Sequence, residues 1–367
     1  MTPRVEMSVD LNALSYNFSV IRDLVGPDVA IMPMVKANAY GHGLADVAQQ
    51  LTKADAFGVA TLPEAICLRK GGIKQAIFVM CGFREPQELE LFSELQLTAV
   101  IHHKDQIDWL LQAPLENPIA VWLKLDTGMH RLGVSIEQFE QAYQCLNASS
   151  KVSQPIGLMT HLANADADTA FTQQQLAIFD RYTGHVNNPK SVANSAGIIN
   201  FKASHHQLVR PGLMLYGVSP FADKTGKELG LKQAMTLSSR LVSYKHIKKG
   251  AEVGYGCNWC ADKDLVLGIV TAGYGDGYPR HAKNGTPVLI AGIECPIVGH
   301  VSMDMLAVDV SAVKQPYIGQ HVILWGSDLP IERIALSADT IAYELFCQLT
   351  GRVTKKLMPC QGAMSVE

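Results

Sequence analysis

Met34-Val35-Lys36-Ala37-Asn38-Ala39-Tyr40-Gly41-His42-Gly43 is where an apolar run gives way to a lysine, a polar turn and two glycines. Residues 29–35 are apolar enough for a fully buried strand, which would hold Lys36 at its mouth in a partly dry site. Burial of that kind lowers an amine's pKa and makes it a nucleophile, able to attach an aldehyde cofactor covalently. A lone lysine after a strand more often points into water. The reading therefore depends on what the chain places at its other strand ends.

Outward from this stretch, apolar runs alternate with segments of helical period. Asp10 is a predicted cap for a helix carrying Leu11, Leu14, Phe18, Ile21 and Leu24 and closed by Gly26-Pro27. After the strand that leads to Lys36, strands are predicted near 56–61, 76–82, 98–103, 119–125, 155–160, 191–194 and 207–209. Helical patterns lie between them, among them 44–51, 86–95, 136–146 and 171–182. Such alternation implies parallel strands with crossover helices. Eight such units in roughly 215 residues suit a (β/α)8 TIM-like barrel, with a doubly wound sheet as the alternative. After Ser219 the texture changes to strand-like runs joined by turns, near 235–242, 265–271, 287–290, 294–298, 306–310 and 321–324, with one closing helix at about 331–349. The expected division is a barrel over 1–219 and a mainly β C-terminal domain over 220–367.

The 367 residues, 48% of them hydrophobic, exceed one average domain, and a net charge of −3 without runs of Lys or Arg argues against nucleic-acid or membrane-surface partners. A small-molecule partner fits better. No apolar run follows the first arginine, and no apolar stretch is long enough to span a bilayer, so a cytoplasmic location is expected. The eight cysteines are scattered, several within apolar segments around Cys67 and Cys81, and read as reduced core thiols rather than a disulfide framework.

On this plan Lys36 ends the first barrel strand, Arg131 follows the fifth, His161 ends the sixth, Ser195 the seventh and Arg210 the eighth. Those positions converge at the C-terminal mouth of a (β/α)8 barrel, where active sites of that fold are built. Asn194-Ser195-Ala196-Gly197 and Arg210-Pro211-Gly212-Leu213 offer backbone N–H groups and small residues to an anion beside the last two strands.

These stretches, together with Lys124-Leu125-Asp126-Thr127-Gly128-Met129-His130-Arg131-Leu132-Gly133, Gly254-Tyr255-Gly256, Gly273-Tyr274-Gly275-Asp276-Gly277-Tyr278 and Ser302-Met303-Asp304, carry a resemblance. Over essentially its full length the chain resembles the bacterial alanine racemases that depend on pyridoxal phosphate. The resemblance implies interconversion of L- and D-alanine, supplying D-alanine for peptidoglycan. It implies two opposed bases acting on a Schiff base of the cofactor, with Lys36 as tether and first base and Tyr255 as the second. A phenol normally titrates near pH ~10, so Tyr255 would need a cation or donor nearby, for which His161 and Arg210 are the candidates. Arg210 matches the arginine facing the pyridine nitrogen. Being always protonated, it would leave that nitrogen bare and weaken the electron sink, disfavouring transamination. Arg131 matches the residue that orients the substrate carboxylate, Met303 a backbone contact near the substrate, and Tyr40, Ser195, Gly212 and Leu213 positions around the phosphate. Lys124 aligns with a lysine that some relatives carbamylate.

The resemblance further implies a head-to-tail homodimer in which Tyr255 and Met303 reach the partner's site. Two departures stand out. A tyrosine that reaches the phosphate in some members aligns with Gly351, so that role is not carried over, and His300 stands where arginine is frequent. Three alternatives remain: a broader racemase accepting serine, a pyridoxal phosphate decarboxylase of basic amino acids, and a non-enzymatic carrier of the cofactor. The decarboxylase would be expected to set a carboxylate, not Arg210, at the ring nitrogen, and the carrier is typically a barrel alone.

Other signals read blandly. Cys257-Asn258-Trp259-Cys260 has redox or half-zinc spacing without a second pair, so no metal is expected. Gly273-Tyr274-Gly275-Asp276-Gly277 is followed by Pro279 instead of a helix, against a dinucleotide loop. His102-His103 and His205-His206 read as solvated or capping residues.

Overall fold

Alternation in Val5-Glu6-Met7-Ser8-Val9-Asp10 makes the first strand, β1 (Val5–Asp10), with every second side chain buried. Asp10 then ends it and caps a helix: Oδ1 accepts the N–H groups of Asn12 at 2.9 Å and Ala13 at 3.3 Å. The capped helix runs Leu11–Val25 and stops at Gly26, whose φ of 81° suits the left-handed region. In this computed structural model, which describes residues 3–358, the chain forms two compact units. One is Asn17–Leu215 with Pro220–Ala222; the other gathers the described residues through Tyr16, Tyr216–Ser219 and those from Asp223 onward. The expected division at 219 thus differs at the start of the chain. The pattern of β1 suits a one-sided antiparallel sheet better than a barrel strand covered on both faces.

The larger unit holds eight parallel strands: β2 (Ala30–Ile31), β3 (Ala56–Val59), β4 (Ala76–Val79), β5 (Leu97–Ile101), β6 (Ile119–Lys124), β7 (Val152–Met159), β8 (Lys190–Ser191) and β9 (Leu208–Val209). From β3 to β8 they pair in chain order, and β2 pairs with β9. Single hydrogen bonds close the ring. The N–H groups of Gln207 and Arg210 reach the carbonyls of Lys190 and Ala193, and Val35 N–H reaches Gly58 O. An open doubly wound sheet would lack these bonds, so the barrel stands. Strand β2 is shorter than its apolar run because Pro33 has no N–H for the ladder; Met32 and Met34 donate to Val209 and Pro211 on one side, and Val35 donates to Gly58 on the other.

In the second unit β10 (Met235–Ile247), β11 (Leu265–Val270), β12 (Pro287–Ile290), β13 (Ile293–Pro296), β14 (Leu306–Asp309), β15 (His321–Trp325) and β16 (Thr354–Met358) join β1 in an eight-stranded sheet. Its order is β13-β12-β15-β10-β1-β16, with β11 beside β10 and β14 beside β11. Ala291 and Gly292, both at positive φ, make the tight turn of the β12/β13 hairpin. The single closing helix expected at 331–349 is two, Ile331–Ser337 and Ala342–Cys347, separated where Asp339 turns to φ 52°. Among the described residues the seven cysteines form no disulfide with one another, and only Cys295 is buried. The expectation of core thiols fails at Cys67, because its helix turns Leu62, Ala65 and Leu68 inward and leaves position 67 outside. Cys360 lies outside the described residues.

Strands β6 and β7 show how little slack the barrel has. Gly157 sits in register opposite Trp122, and a Cβ there would overlap the indole, which packs edge-on against Phe78 at 5.4 Å. Gly157→Ala should lower stability by about 1–3 kcal/mol, seen as a lower urea midpoint with an unchanged slope. Trp122→Leu in the same chain should recover part of the loss.

Candidate active site

Immediately after β2 the backbone does something rare for residues with side chains. Ala37, Asn38, Ala39 and Tyr40 all take left-handed angles, φ 50–54°, each at a cost of about 1–2 kcal/mol. Such a turn persists only when its surroundings over-determine it. Within the turn, Ala39 N–H donates to Val35 O at 2.8 Å and Gly41 N–H to Ala37 O at 3.0 Å. From outside, Glu64 takes the Ala37 N–H at 2.7 Å with one carboxylate oxygen and those of Ala60 and Thr61 with the other. Asn38 Oδ1 accepts Leu44 N–H at 2.9 Å, starting the next helix. The result fixes Lys36 at the head of the turn, just past the buried Val35.

Arg210 and Lys124, at two further strand ends, bring buried positive charge, and Arg131 follows on the loop after β6. Arg210 is 2% exposed; its Nη1 donates to Ser191 Oγ at 2.6 Å, and Nη2 to the carbonyls of Thr160 at 2.7 Å and Val192 at 3.0 Å. Burial pulls its pKa to about 9, still well above neutrality, so the guanidinium remains charged. His161 Nδ1 accepts from the same Nη2 at 3.4 Å. The imidazole is held well below its ordinary pKa, first by loss of water and then by the charges of Arg210, Lys124, Arg131 and Lys36. It is therefore neutral at pH 7. All four cations contribute to that lowering, Arg210 the most among them. Lys124, 6% exposed, is pulled to about 8 by burial, then by Arg210 and Arg131. Arg131 itself lies exposed on a loop tied down by Asp126, whose Oδ1 accepts the N–H groups of Gly128 and His130.

Tyr40, Ser195, Gly212 and Leu213 gather nearby. Ser195 Oγ accepts the N–H groups of Gly212 at 3.0 Å and Met214 at 3.4 Å. A Cβ on Gly212 would lie 2.9 Å from the Tyr40 hydroxyl and 3.9 Å from Ser195 Oγ, so two hydroxyls converge on the space a side chain would fill. Arg210 spends both Nη atoms on the protein and leaves its Nε–H out of those bonds. A cradle of small polar groups and an inward N–H donor fit a phosphorylated heterocycle.

Tyr255 and Met303 belong to the other unit. Tyr255 heads a short turn and is 75% exposed; Met303 is 52% exposed, and its N–H donates to no protein group among the described residues. The Gly351 position is exposed, and His300 meets the Asn258 amide.

A barrel with a lysine past its first strand, buried cations at later strand ends and a cradle of hydroxyls defines a protein of the class that binds a phosphorylated aldehyde. Family models for the alanine racemase N-terminal domain and C-terminal domain match residues 9–220 and 234–357. Alanine racemases of Coxiella burnetii and Shewanella woodyi are 46% and 47% identical, over 95% and 96% of this chain and 98% of theirs. The biosynthetic alanine racemase of Pseudomonas aeruginosa superposes with a TM-score of 0.94 at 39% identity, covering 98% of this chain and 100% of that one. The Bartonella henselae alanine racemase with covalently bound pyridoxal phosphate gives 0.87 at 28%, covering 97% and 100%. The chain belongs to the alanine racemase family.

Several supporting residues escaped the sequence reading. Glu64 was detectable as the fourth member of the capping box Thr61-Leu62-Pro63-Glu64. The buried network of Thr127, Thr160 and Gln175 had no local signal: Thr127 Oγ1 meets Thr160 Oγ1 at 2.8 Å and Gln175 Nε2 at 3.2 Å, joining the loops after two strands to a helix. His103 caps a helix as expected, but His205 is buried, with Nε2 2.9 Å from Ile198 O. His102 is half-buried on the Cys81 carbonyl.

Lys124 has a pH signature. Its folded pKa lies below the unfolded value of 10.5, so the unfolded chain holds more protons between about 8 and 10.5 and stability rises with pH across that window. Below pH 8 the buried charge costs on the order of 3 kcal/mol. Lys124→Met should therefore raise the urea midpoint most at pH 7, with the gain shrinking toward pH 10.5.

Proposed function

We propose that the chain interconverts L- and D-alanine, with Lys36 and Tyr255 as opposed acid and base and pyridoxal phosphate as cofactor. It is an isomerase of the amino-acid racemase type. The observation that carries this reading is the buried Arg210 bonded beside His161, with the Ser195 and Tyr40 hydroxyls around Gly212, in a chain of this family.

When bound, pyridoxal phosphate supplies the electron sink that makes a substrate Cα proton removable. Tyr40, Ser195, Gly212 and Leu213 would hold its phosphate, and Arg210 would set its Nε–H against the ring nitrogen. A guanidinium there would donate a hydrogen bond and keep its proton, so the ring nitrogen would stay unprotonated and draw less charge away from Cα. Arg131 pairs with the substrate carboxylate through its planar fork of donors. The Met303 N–H supplies a second donor to that carboxylate. One of Lys36 Nζ and Tyr255 Oη removes the Cα proton, and the other delivers one to the opposite face.

Tyr255 is exposed on a unit separate from Lys36, and it acts on the site of a partner copy in a head-to-tail homodimer, as does Met303. Product D-alanine feeds peptidoglycan synthesis in the cytoplasm. Lys124 is a candidate for carbamylation. Its pKa of about 8 leaves roughly one amine in ten unprotonated at pH 7, which carbon dioxide requires. A carbamate would turn a cation into an anion beside Arg131, and the Lys124→Met comparison repeated with and without bicarbonate separates the two states.

A panel of enantiopure amino acids tests the substrate: alanine should be turned over well ahead of serine and lysine, and equal turnover of serine would favour the broader racemase. Mixing Lys36→Ala with Tyr255→Phe chains tests the partner contribution. Activity should return as mixed dimers form; mixed dimers without activity would mean that each tyrosine serves its own chain.

A further inference from the structure

The loop Gly273–Gly277 has a tightly organised neighbourhood that neither proton transfer nor cofactor binding explains. Asp276, 1% exposed, sets one carboxylate oxygen against two guanidinium groups, forming an ion pair with Arg4 and lying 3.4 Å from Arg352 Nε. Its other oxygen accepts the Gly273 N–H at 3.0 Å. Both arginines continue to a second loop. Arg4 Nη1 donates to the Asp304 carbonyl at 2.9 Å, and Arg352 pairs with the Asp304 carboxylate. The two loops also touch through backbone alone: Tyr274 N–H donates to Ser302 O at 3.1 Å and Gly275 N–H to Met303 O at 2.9 Å. Side chains at Gly273 or Gly275 would collide with that backbone. Thr350 closes the arrangement, its hydroxyl on Gly275 O at 2.9 Å and its N–H on Asp276 O at 3.2 Å.

A buried carboxylate with two cationic partners is costly to disturb, because removing its charge strands both arginines. What it holds in place is the carbonyl of Met303, and with it the peptide plane whose neighbour carries the undonated Met303 N–H. We propose that Asp276 is a positioning residue: through Arg4 and Arg352 it fixes the Ser302-Met303-Asp304 turn so that the Met303 N–H is aimed at the substrate carboxylate. This rests on the reading of Met303 as a substrate contact. Arg4 and Arg352, far apart in sequence, thereby become part of substrate recognition.

Affinity for propionate, alanine's carbon skeleton without the amine, isolates carboxylate recognition in the holoenzyme. Asp276→Asn should weaken propionate and raise KM for both alanine enantiomers on the order of ten- to hundredfold. Its kcat should change far less, and the visible absorbance of lysine-bound cofactor should be retained. Arg352→Gln, at a partly exposed side chain, should move the same parameters in the same direction and combine non-additively with Asp276→Asn. It carries the comparison alone if the Asp276 variant does not fold. Met303→Pro removes the N–H itself. Weaker propionate binding in Met303→Pro but not in Asp276→Asn or Arg352→Gln would overturn the positioning role while leaving the Met303 contact standing. Unchanged binding in Met303→Pro would overturn the contact and the proposal with it. A uniform fall in kcat with loss of cofactor in the Asp276 and Arg352 variants would mark a structural role only and also overturn it.

Discussion

Everything at the barrel mouth depends on keeping one guanidinium charged without water. Arg210 manages this by giving its Nη hydrogens to Ser191, Thr160 and Val192, partners supplied by the ends of two neighbouring strands, β7 and β8. Those carbonyl and hydroxyl dipoles replace the hydration shell it loses, so burial brings it only to about 9. Its charge then sets the state of its neighbours. His161 is kept neutral and can only accept from Arg210, and Lys124 is pushed to the edge of deprotonation. A lysine at Arg210 would offer a point charge without the planar fork that reaches three acceptors and keeps an Nε–H spare.

Positive charge alone would make an anion sink, not a site for a particular ligand. Geometry comes from backbone in uncommon conformations held by carboxylates. The left-handed run Ala37–Tyr40 would unwind without Glu64 on Ala37 N–H, since isolated residues with a Cβ abandon those angles. The loop carrying Arg131 is folded back by Asp126 on Gly128 and His130, and a Cβ at Gly133 would press on the Asp126 backbone. In each case an acidic side chain satisfies N–H groups that regular structure would otherwise use. The anions brace the loops that carry the cations.

The sequence was legible where chemistry is local and opaque where it is spatial. Periodicity and turn residues gave the eight strand positions, because a barrel repeats one unit whose strands are buried on both faces. Strand-end residues such as Lys36, His161, Ser195 and Arg210 followed from that plan, and their roles from the resemblance. Strand β16 was invisible because Thr354-Lys355-Lys356-Leu357-Met358 is exposed throughout and has no apolar alternation; its pairing with β1 alone makes it a strand. The bonds of Thr127 to Thr160 and Gln175 lacked any signal because they join residues on separate units of the barrel repeat. Cys67 misled because an apolar neighbourhood in sequence is not an inward face on a helix.

The β-rich unit obeys a different constraint from the barrel. Tyr255, Tyr274, Met303 and Met305 are large and exposed, an arrangement that favours association with another surface. Exposed side chains recognise a ligand well only if the backbone beneath them does not move, because ordering them on binding subtracts from affinity. The glycines at 273, 275 and 277 let three chain segments approach to backbone contact, and Asp276 sits at their centre with its charge fully compensated. Packing without side chains gives rigidity, and the buried ion pairs give it direction. A surface so prepared keeps its exposed side chains in fixed directions, so that little ordering is left to subtract from affinity when another surface meets it.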